Sequence, residues 1–552
     1  MRASATALGT WRRALAHAFS ALHRWLVTSS PGLVGLALII GAGAGAGAVV
    51  FRYFILGVTE LVTGRADYSD AGRVASTHLP VLGPWFLLLA PVAGGLIYGP
   101  LVHLFAREAR GHGVPEVMFA VARHAGRIPA RVAAVKALAS GLCIGTGGSV
   151  GREGPIVQIG SALGSSIGQW LRVPASRLVL MVSCGAAGGI SATFNAPIAG
   201  VLFGLELILR AFNAQAFGIL VISSVIANVI AQTAFGDESF LHLPHFTLGS
   251  PAALLPYALL GLLAGMLGWL FARVLYLVED ACDALWHGPE WLRPAVGGLL
   301  LGAVLLALPQ LYGVGYPVIQ HGVAGQYALG LLLLLTVGKM LATSLTIGIG
   351  GSGGVFAPSL FIGAMAGTAF GTGADILFPG LHLSPGAFGL IGMAAVFAGA
   401  AHAPITAVVI VFELTGDYPI ILPLMIAVAL GTGASHLISR DTIYTLKLVR
   451  RGVDINAEST IDQALRQVTV AEVMRPAAEP HPAHAQVPHE EQTNDTSHPA
   501  ALHPDSTVHD VLDELAAHRG SVLPVRASPD GPLLGRLAEQ DVFAYLRADG
   551  QH

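Results

Sequence analysis

Apolar residues run almost without pause from about residue 32 to 438, and polar residues take over after Arg451. The apolar text is uneven. Residues 213–234, 255–277 and 327–347 are unbroken runs, long enough as helices to cross a hydrocarbon core of ~30 Å. Residues 114–124, 154–170 and 386–399 are too short, or too interrupted by Gly and Pro, to cross alone. Interrupted segments of this kind predict helices that stop inside the membrane. Their backbone groups then need protein or a bound ion as partner, because lipid offers none. The N-terminal segment, residues 1–31, predicts a basic amphipathic helix over 1–29 lying on the membrane surface, with Trp11, Leu15, Phe19, Leu22 and Leu26 on its apolar side.

Composition and charge agree with this pattern. Of 552 residues, 53% are hydrophobic and 11% charged. A soluble domain carries about a quarter charged residues, so most of this chain sits in lipid. Glycine is abundant, at 69 residues, as close helix contacts in membranes require. Arg2, Arg12, Arg13 and Arg24 precede the first apolar run, and no acidic residue appears before Glu60. Arg440, Lys447, Arg450 and Arg451 follow the last run. Positive flanks at both ends predict a multi-pass protein of the cell (inner or plasma) membrane with both termini cytoplasmic. Cys143, Cys184 and Cys282 lack CxxC spacing and read as buried small hydrophobes rather than a disulfide framework or metal site.

The chain repeats itself. Ile144-Gly-Thr-Gly-Gly-Ser-Val-Gly-Arg-Glu-Gly-Pro155 matches Ile347-Gly-Ile-Gly-Gly-Ser-Gly-Gly-Val-Phe-Ala-Pro358 at seven of twelve positions, 203 residues apart. Lys136 and Lys339 keep that offset. Ala196-Pro-Ile-Ala-Gly-Val-Leu-Phe-Gly-Leu-Glu-Leu207 matches Ala403-Pro-Ile-Thr-Ala-Val-Val-Ile-Val-Phe-Glu-Leu414 at an offset of 207. Chance matching of Gly- and Ala-rich text would not preserve Lys, Pro and Glu together. Two structural halves follow, about 80–235 and 251–440, with the functional site expected where they meet near the midplane.

The chemistry concentrates at Gly-Arg152-Glu153-Gly154-Pro155. A helix beginning there inside the membrane presents unpaired N–H groups and a positive dipole end, an anion site built from neutral parts. The Glu153 carboxylate can occupy the place of such an anion and act as a gate. A structural ion pair of Arg152 and Glu153 is the bland alternative, set against the functional prior for an ionisable residue in a membrane segment. The second half repeats the design without a carboxylate, with Val355 and Phe356 at the helix start. A third start is Gly111-His112-Gly113-Val114-Pro115. Each is only a Gly-X-Pro turn by itself, but three in one membrane domain reinforce one another. The Gly-rich runs lack the βαβ context of a dinucleotide site.

Together GHGVP, GREGP, GGVFAP and Ile443-Tyr444 resemble the CLC family of chloride channels and chloride/proton antiporters, over roughly residues 32–451. The resemblance implies an all-α polytopic membrane fold of two inverted-repeat halves with many broken or tilted helices. It also implies a homodimer with one pore per subunit and chloride as the transported ligand. It carries over Glu153 as the gating residue. The anion-binding set becomes Gly111, His112, Gly113, Arg152, Gly154, Val355, Phe356 and Tyr444, with the Val355 and Phe356 amides and the Tyr444 hydroxyl at the central anion. Two positions depart from the family pattern. His112 stands where the family usually has Ser; a neutral imidazole donates one hydrogen bond to an anion and an imidazolium adds charge. The residue after Glu206, where family antiporters carry an inner proton-relay glutamate, is Leu207. Leucine carries no proton, so the expectation is a voltage- and proton-sensitive chloride channel, with chloride/proton exchange, or transport of fluoride or nitrate, as alternatives.

Residues 452–552 form a small cytoplasmic α/β unit that resembles a CBS domain. Val468–Met474 is its opening, Val522-Leu-Pro-Val525 its buried strand and Gly535–Asp541 its ending, around a flexible insert at about 477–504. A single copy, with Ala538 in place of the usual Thr, speaks against nucleotide binding and for a dimerisation or regulatory module. Irregularly spaced histidines from His481 to His509 read as solvated linker rather than a metal site. There is no HExxH, and no Ser–His pairing emerges from the spacing. The chain is therefore not expected to be an enzyme, to need a cofactor or metal, or to bind nucleic acid.

Overall fold

The computed structural model describes residues 25–236 (without 28 and 79), 254–455 (without 382) and, in the tail, 465, 468–476, 502–508, 510–517, 522–528 and 532–549. Most of the expected N-terminal surface helix, and the expected insert from 477 to 501, lie outside the described residues. The chain divides into two compact units, 1–447 and 448–552.

Among the described residues, eight helices of the first unit are long and apolar enough to cross a membrane. The helices come in two runs. The first is α1 (Ser30–Thr63), α2 (Phe86–Phe105), α3 (Val114–His124), α4 (Ala130–Gly145), α5 (Glu153–Trp170), α6 (Ala175–Phe194), α7 (Pro197–Phe203) and α8 (Ala214–Phe235). The second is α9 (Leu254–Leu285), α10 (Arg293–Ala307), α11 (Tyr316–Val323), α12 (Leu329–Gly348), α13 (Phe356–Leu377), α14 (Pro385–Ala401), α15 (Pro404–Thr415) and α16 (Ile421–Ile438). A short helix, α17 (Thr445–Val449), follows. Within the first run α1 packs on α4, α5, α6 and α8; within the second α9 packs on α12, α13, α14 and α16. The first packed run thus includes α1, which precedes the half expected from about residue 80.

Local chemistry sets the helix ends. Ser29 Oγ accepts from the Gly32 N–H at 3.0 Å to open α1. Gly64, in the left-handed region, closes it with a bond to the Glu60 carbonyl at 2.7 Å. α14 is buried at every residue from Ala387 to Ala401, which an all-apolar helix requires. Close contacts fall on small residues: a Cβ on Gly160 of α5 would lie 2.2 Å from the Gly185 carbonyl of α6, and one on Gly363 of α13 would lie 2.3 Å from the Gly392 carbonyl of α14.

The halves meet through equivalent residues. Gly151 and Gly354, 203 apart, exchange both backbone hydrogen bonds, at 2.8 and 2.6 Å, as an antiparallel pair. Each residue thus bonds its own repeat copy, and the antiparallel sense is what an inverted repeat requires. Glu206, on the π-helical turn Gly204–Leu209 that continues α7, accepts from the Ile405 and Thr406 amides at 3.1 and 2.8 Å. Its copy Glu413 accepts from the Ile198 and Ala199 amides at 3.0 and 2.7 Å. Each glutamate caps the Ala-Pro helix of the other half.

In the second unit, α18 (Val470–Val473) starts from a capping box of Thr469 and Glu472. Strands β1 (Arg475–Pro476), β2 (Leu523–Arg526) and β3 (Leu533–Leu537) form an antiparallel sheet of order β1-β3-β2. With α19 (Leu512–Ala517) and α20 (Glu539–Asp549) it encloses a core that includes Val470, Val508, Val525 and Leu537.

Candidate functional site

Three Gly-rich turns cross at the centre of the first unit. Gly111 donates to the Gly351 carbonyl at 3.1 Å and accepts from the Gly353 amide at 3.3 Å, while Gly151 and Gly354 pair as above. Contact is too close for side chains. A Cβ on Gly113 would meet the Gly154 carbonyl at 2.7 Å, and one on Gly154 would meet the His112 carbonyl at 2.2 Å. Gly111 and Gly113 also sit at φ +77°, in the region that favours glycine. The starts of α3, α5 and α13 are thereby drawn to one place.

The lysines of the repeat hold these turns. Lys136 Nζ donates to the Ala109 and Gly111 carbonyls at 3.0 and 2.7 Å, ahead of α3. Lys339 Nζ donates to the Gly313 and Val314 carbonyls at 2.8 and 3.1 Å, ahead of α11. Both side chains are fully buried. Each ammonium therefore satisfies carbonyls that the broken backbone leaves without helical partners.

Glu153 is the first residue of α5, two residues earlier than a start at Pro155. It is fully buried. Its Oε2 accepts from the Ala357 amide, in the first turn of α13, at 3.3 Å. Its Oε1 accepts from the Tyr316 hydroxyl. A Cβ on Gly151 would lie 2.2 Å from Oε2, so the carboxylate takes this place only because residue 151 is glycine. The carboxylate thus crosses from one helix start to the other and takes an amide there, as a bound anion would.

Arg152 caps the same helix. Its guanidinium stands over the Tyr316 ring, 5.2 Å from the centroid, and Nη2 donates to the Thr193 carbonyl at 3.3 Å. Val355 caps α13 and Phe356 opens it. The Phe356 ring packs on Phe397, Phe194 and Phe203, with centroids at 4.3, 5.3 and 6.4 Å. His112 and Tyr444 are buried with ring centroids 6.3 Å apart. Tyr276 joins them: its hydroxyl donates to the Ile443 carbonyl at 2.7 Å and lies 3.4 Å from His112 Nε2.

Tyr276 and Tyr316 were missed from sequence. Tyr276 had no signal, being one tyrosine in an apolar helix. Tyr316 had one: Gly313-Val-Gly-Tyr-Pro317 repeats Gly111-His-Gly-Val-Pro115 at an offset of 202. In the second unit Asp541 is buried, accepting from Arg475 Nε at 2.7 Å and from the Ala538 amide at 3.0 Å.

Broken membrane helices in two inverted sets, aiming their amino ends at one buried carboxylate, define a multi-pass membrane protein of the ion-transport class. Comparison with known proteins is specific. The family described as voltage gated chloride channel matches residues 94–436. A putative chloride channel protein ClcB-like from Ralstonia nicotianae is 34% identical over 428 residues, covering 76% of this chain and 98% of the relative. An H(+)/Cl(-) exchange transporter ClcA from Vibrio parahaemolyticus is 36% identical over 425 residues, covering 75% and 89%. A solved slow cyanobacterial Cl-/H+ antiporter superposes with TM-score 0.67 at 25% identity, covering 77% and 99%. The chain belongs to the CLC family.

Proposed function

We propose that the protein exchanges chloride for protons across a cell membrane, with Glu153 as the gate common to both ions. The observation that carries this is the buried Glu153 carboxylate seated on the Ala357 amide at the start of α13. An ionised Glu153 holds the place an anion needs. Protonation removes its charge and weakens its hold on the amide, so chloride enters as a proton is taken up. The Val355 and Phe356 amides and the Tyr444 hydroxyl receive the central anion. Gly111, Gly113 and Gly154 allow the backbone to close around it, Arg152 adds positive potential, and His112 faces the inner approach in place of serine.

Names of relatives support exchange. The channel reading rests on one observation: Leu207, beside Glu206, is buried and carries no proton. Under exchange, protons reach Glu153 by a route that does not use position 207. Two further readings accompany the proposal. Exposed apolar residues on α15 and α16, including Ile405, Leu422 and Met425, offer a face to a second copy in a homodimer. The tail serves a regulatory or dimerising role without nucleotide, since Asp541 is already engaged by Arg475 and the Ala538 amide.

Purified protein in liposomes, read by paired chloride and pH electrodes, tests the main reading. A chloride gradient is expected to drive protons uphill, and E153Q to abolish proton movement while chloride still flows. Chloride flux without any proton movement in the unmodified protein would overturn exchange in favour of the channel.

A further inference from the structure

Two histidines meet where α14 and α16 end. His402 follows the last residue of α14 in the left-handed region, at φ +51°, and its amide donates to the Ala398 carbonyl at 2.8 Å. His436 lies in the last turn of α16. The two Nδ1 atoms stand 3.2 Å apart and the ring centroids 4.7 Å apart. His402 is half-buried and His436 exposed. The polar residues Ser439, Arg440 and Asp441 follow directly, which places this end of α16 at the water interface.

A neighbour fixes the tautomer of His402. Ser435 Oγ donates its one proton to the Gly399 carbonyl at 2.6 Å. Toward His402 Nε2, 3.1 Å away, it can only accept. Neutral His402 therefore carries its proton on Nε2, and the Nδ1 lone pair is aimed at His436. A metal-ligating imidazole is ordinarily held in this way, by a hydrogen bond at the nitrogen that does not ligate. The lone pair can take the Nδ1 proton of His436 or a cation held by both rings.

The spacing suits a chelate. Two imidazole nitrogens on one tetrahedral Zn²⁺, each at ~2.0–2.1 Å, stand about 3.3 Å apart, with ring centroids about 5 Å apart. Two helix carboxyl ends turn their negative dipole ends to this place. The Glu206 carboxylate lies close by in sequence terms, on the amides of Ile405 and Thr406. Among the described residues no third His, Cys, Asp or Glu joins the pair, so water completes the coordination. The first half lacks the pair: the copies of His402, Ser435 and His436, 207 residues earlier, are Asn195, Asn228 and Val229. There Asn228 donates to Asn195 Oδ1 at 2.9 Å.

The histidines also flank the turn that carries Tyr444. After α16 ends at Ile438, the chain leads back to Ile443, whose amide donates to the Ala400 carbonyl at 2.8 Å. A link between His402 and His436 would tie both ends of this turn to α14.

We propose that His402 and His436 form a binding site for a divalent transition metal ion of the zinc type, and that the bound ion is a brake that fixes the turn carrying Tyr444. The brake rests on the reading of Tyr444 as an anion ligand; the metal site does not.

Calorimetric titration of the purified, chelator-treated full chain with zinc sulfate tests the site. One ion of micromolar affinity per chain is expected to be lost in H402N and in H436V. Both variants install the residue that the first half already carries, so the fold tolerates them. The histidines from His481 to His509 stay in every variant, so any zinc they hold cancels in the difference. Equal binding in the unmodified protein and either variant overturns the site. In liposomes with zinc sulfate on both sides, chloride flux is expected to fall severalfold, to recover on addition of EDTA, and not to fall in H436V. Zinc binding with unchanged flux overturns the brake and leaves the site. The flux arm reads chloride alone, so a protein that moves no protons fails the exchange reading without touching this one.

Discussion

The starts of α5 and α13 are two copies of one design with opposite contents. Both follow Gly-Gly-Ser-X-Gly, and both carry proline as the third helical residue. At the first position one has Glu153 and the other Phe356. Glu153 reaches across to the other helix start and takes the Ala357 amide; Phe356 turns into an aromatic group with Phe397 and Phe194. The next position differs as well. Gly154 has no room for a Cβ, while its copy Ala357 carries one. Duplication thus supplied the frame twice. The copies then diverged in content: one start carries the carboxylate and the other receives it.

This comparison can be broken at several points. The largest effect is expected at Gly154. G154A forces a Cβ to 2.2 Å from the His112 carbonyl and 2.9 Å from Gly354 Cα, a backbone clash expected to destabilise by ~3 kcal/mol or more. A357G at the equivalent position is expected to lose only about 1 kcal/mol. Thermal unfolding in detergent separates the two, and equal losses would show that the crossing is not asymmetric. Next comes the acid itself. Moving it, as E153A with F356E, is expected not to restore proton coupling, because position 356 faces phenylalanines rather than Tyr316 and Ala357. Restored coupling in the liposome assay would make the two starts interchangeable.

The lysines sharpen the symmetric side. K136M and K339M each leave two buried carbonyls without their donor, and each is expected to lose ~2–4 kcal/mol. Losses differing by more than twofold would show that the turns are unequally held. The glutamate caps come next. E206Q and E413Q keep one acceptor oxygen each and are expected to lose about 1 kcal/mol apiece, E206Q slightly more because Thr406 Oγ1 also donates to Glu206 at 2.6 Å. The smallest effect concerns His112, whose copy is Val314. An imidazolium adds positive charge, so chloride binding is expected to tighten as pH falls. H112S is expected to flatten that dependence in chloride titrations at several pH values, and an unchanged profile would remove His112 from the anion site.

Much of this architecture was legible in advance. The runs at 213–234, 327–347 and 255–277 correspond closely to α8, α12 and the greater part of α9, because spanning lipid demands continuous apolar text. The broken helices were legible because Gly and Pro interrupt a helix wherever they fall. The repeat placed Lys136 with Lys339 and Glu206 with Glu413 before any coordinates. The glutamates read as structural acceptors of backbone bonds, and they are; which backbone they cap, and what the lysines hold, was not legible. A lysine that caps carbonyls some 25 residues away, or a glutamate that caps the helix of the other half, leaves no mark in local spacing.

The sequence by itself determined that this chain lives in the membrane, that it is built twice, and that one acid stands at a helix start within the bilayer. Those facts follow from hydropathy, identity at fixed offset and the conformational limits of Gly and Pro, all of which are local. Only the tertiary structure decided where that acid points and that Tyr316 holds it. Juxtapositions of residues a hundred or more positions apart depend on how whole helices pack, and that packing is set by many small close approaches acting together rather than by any motif.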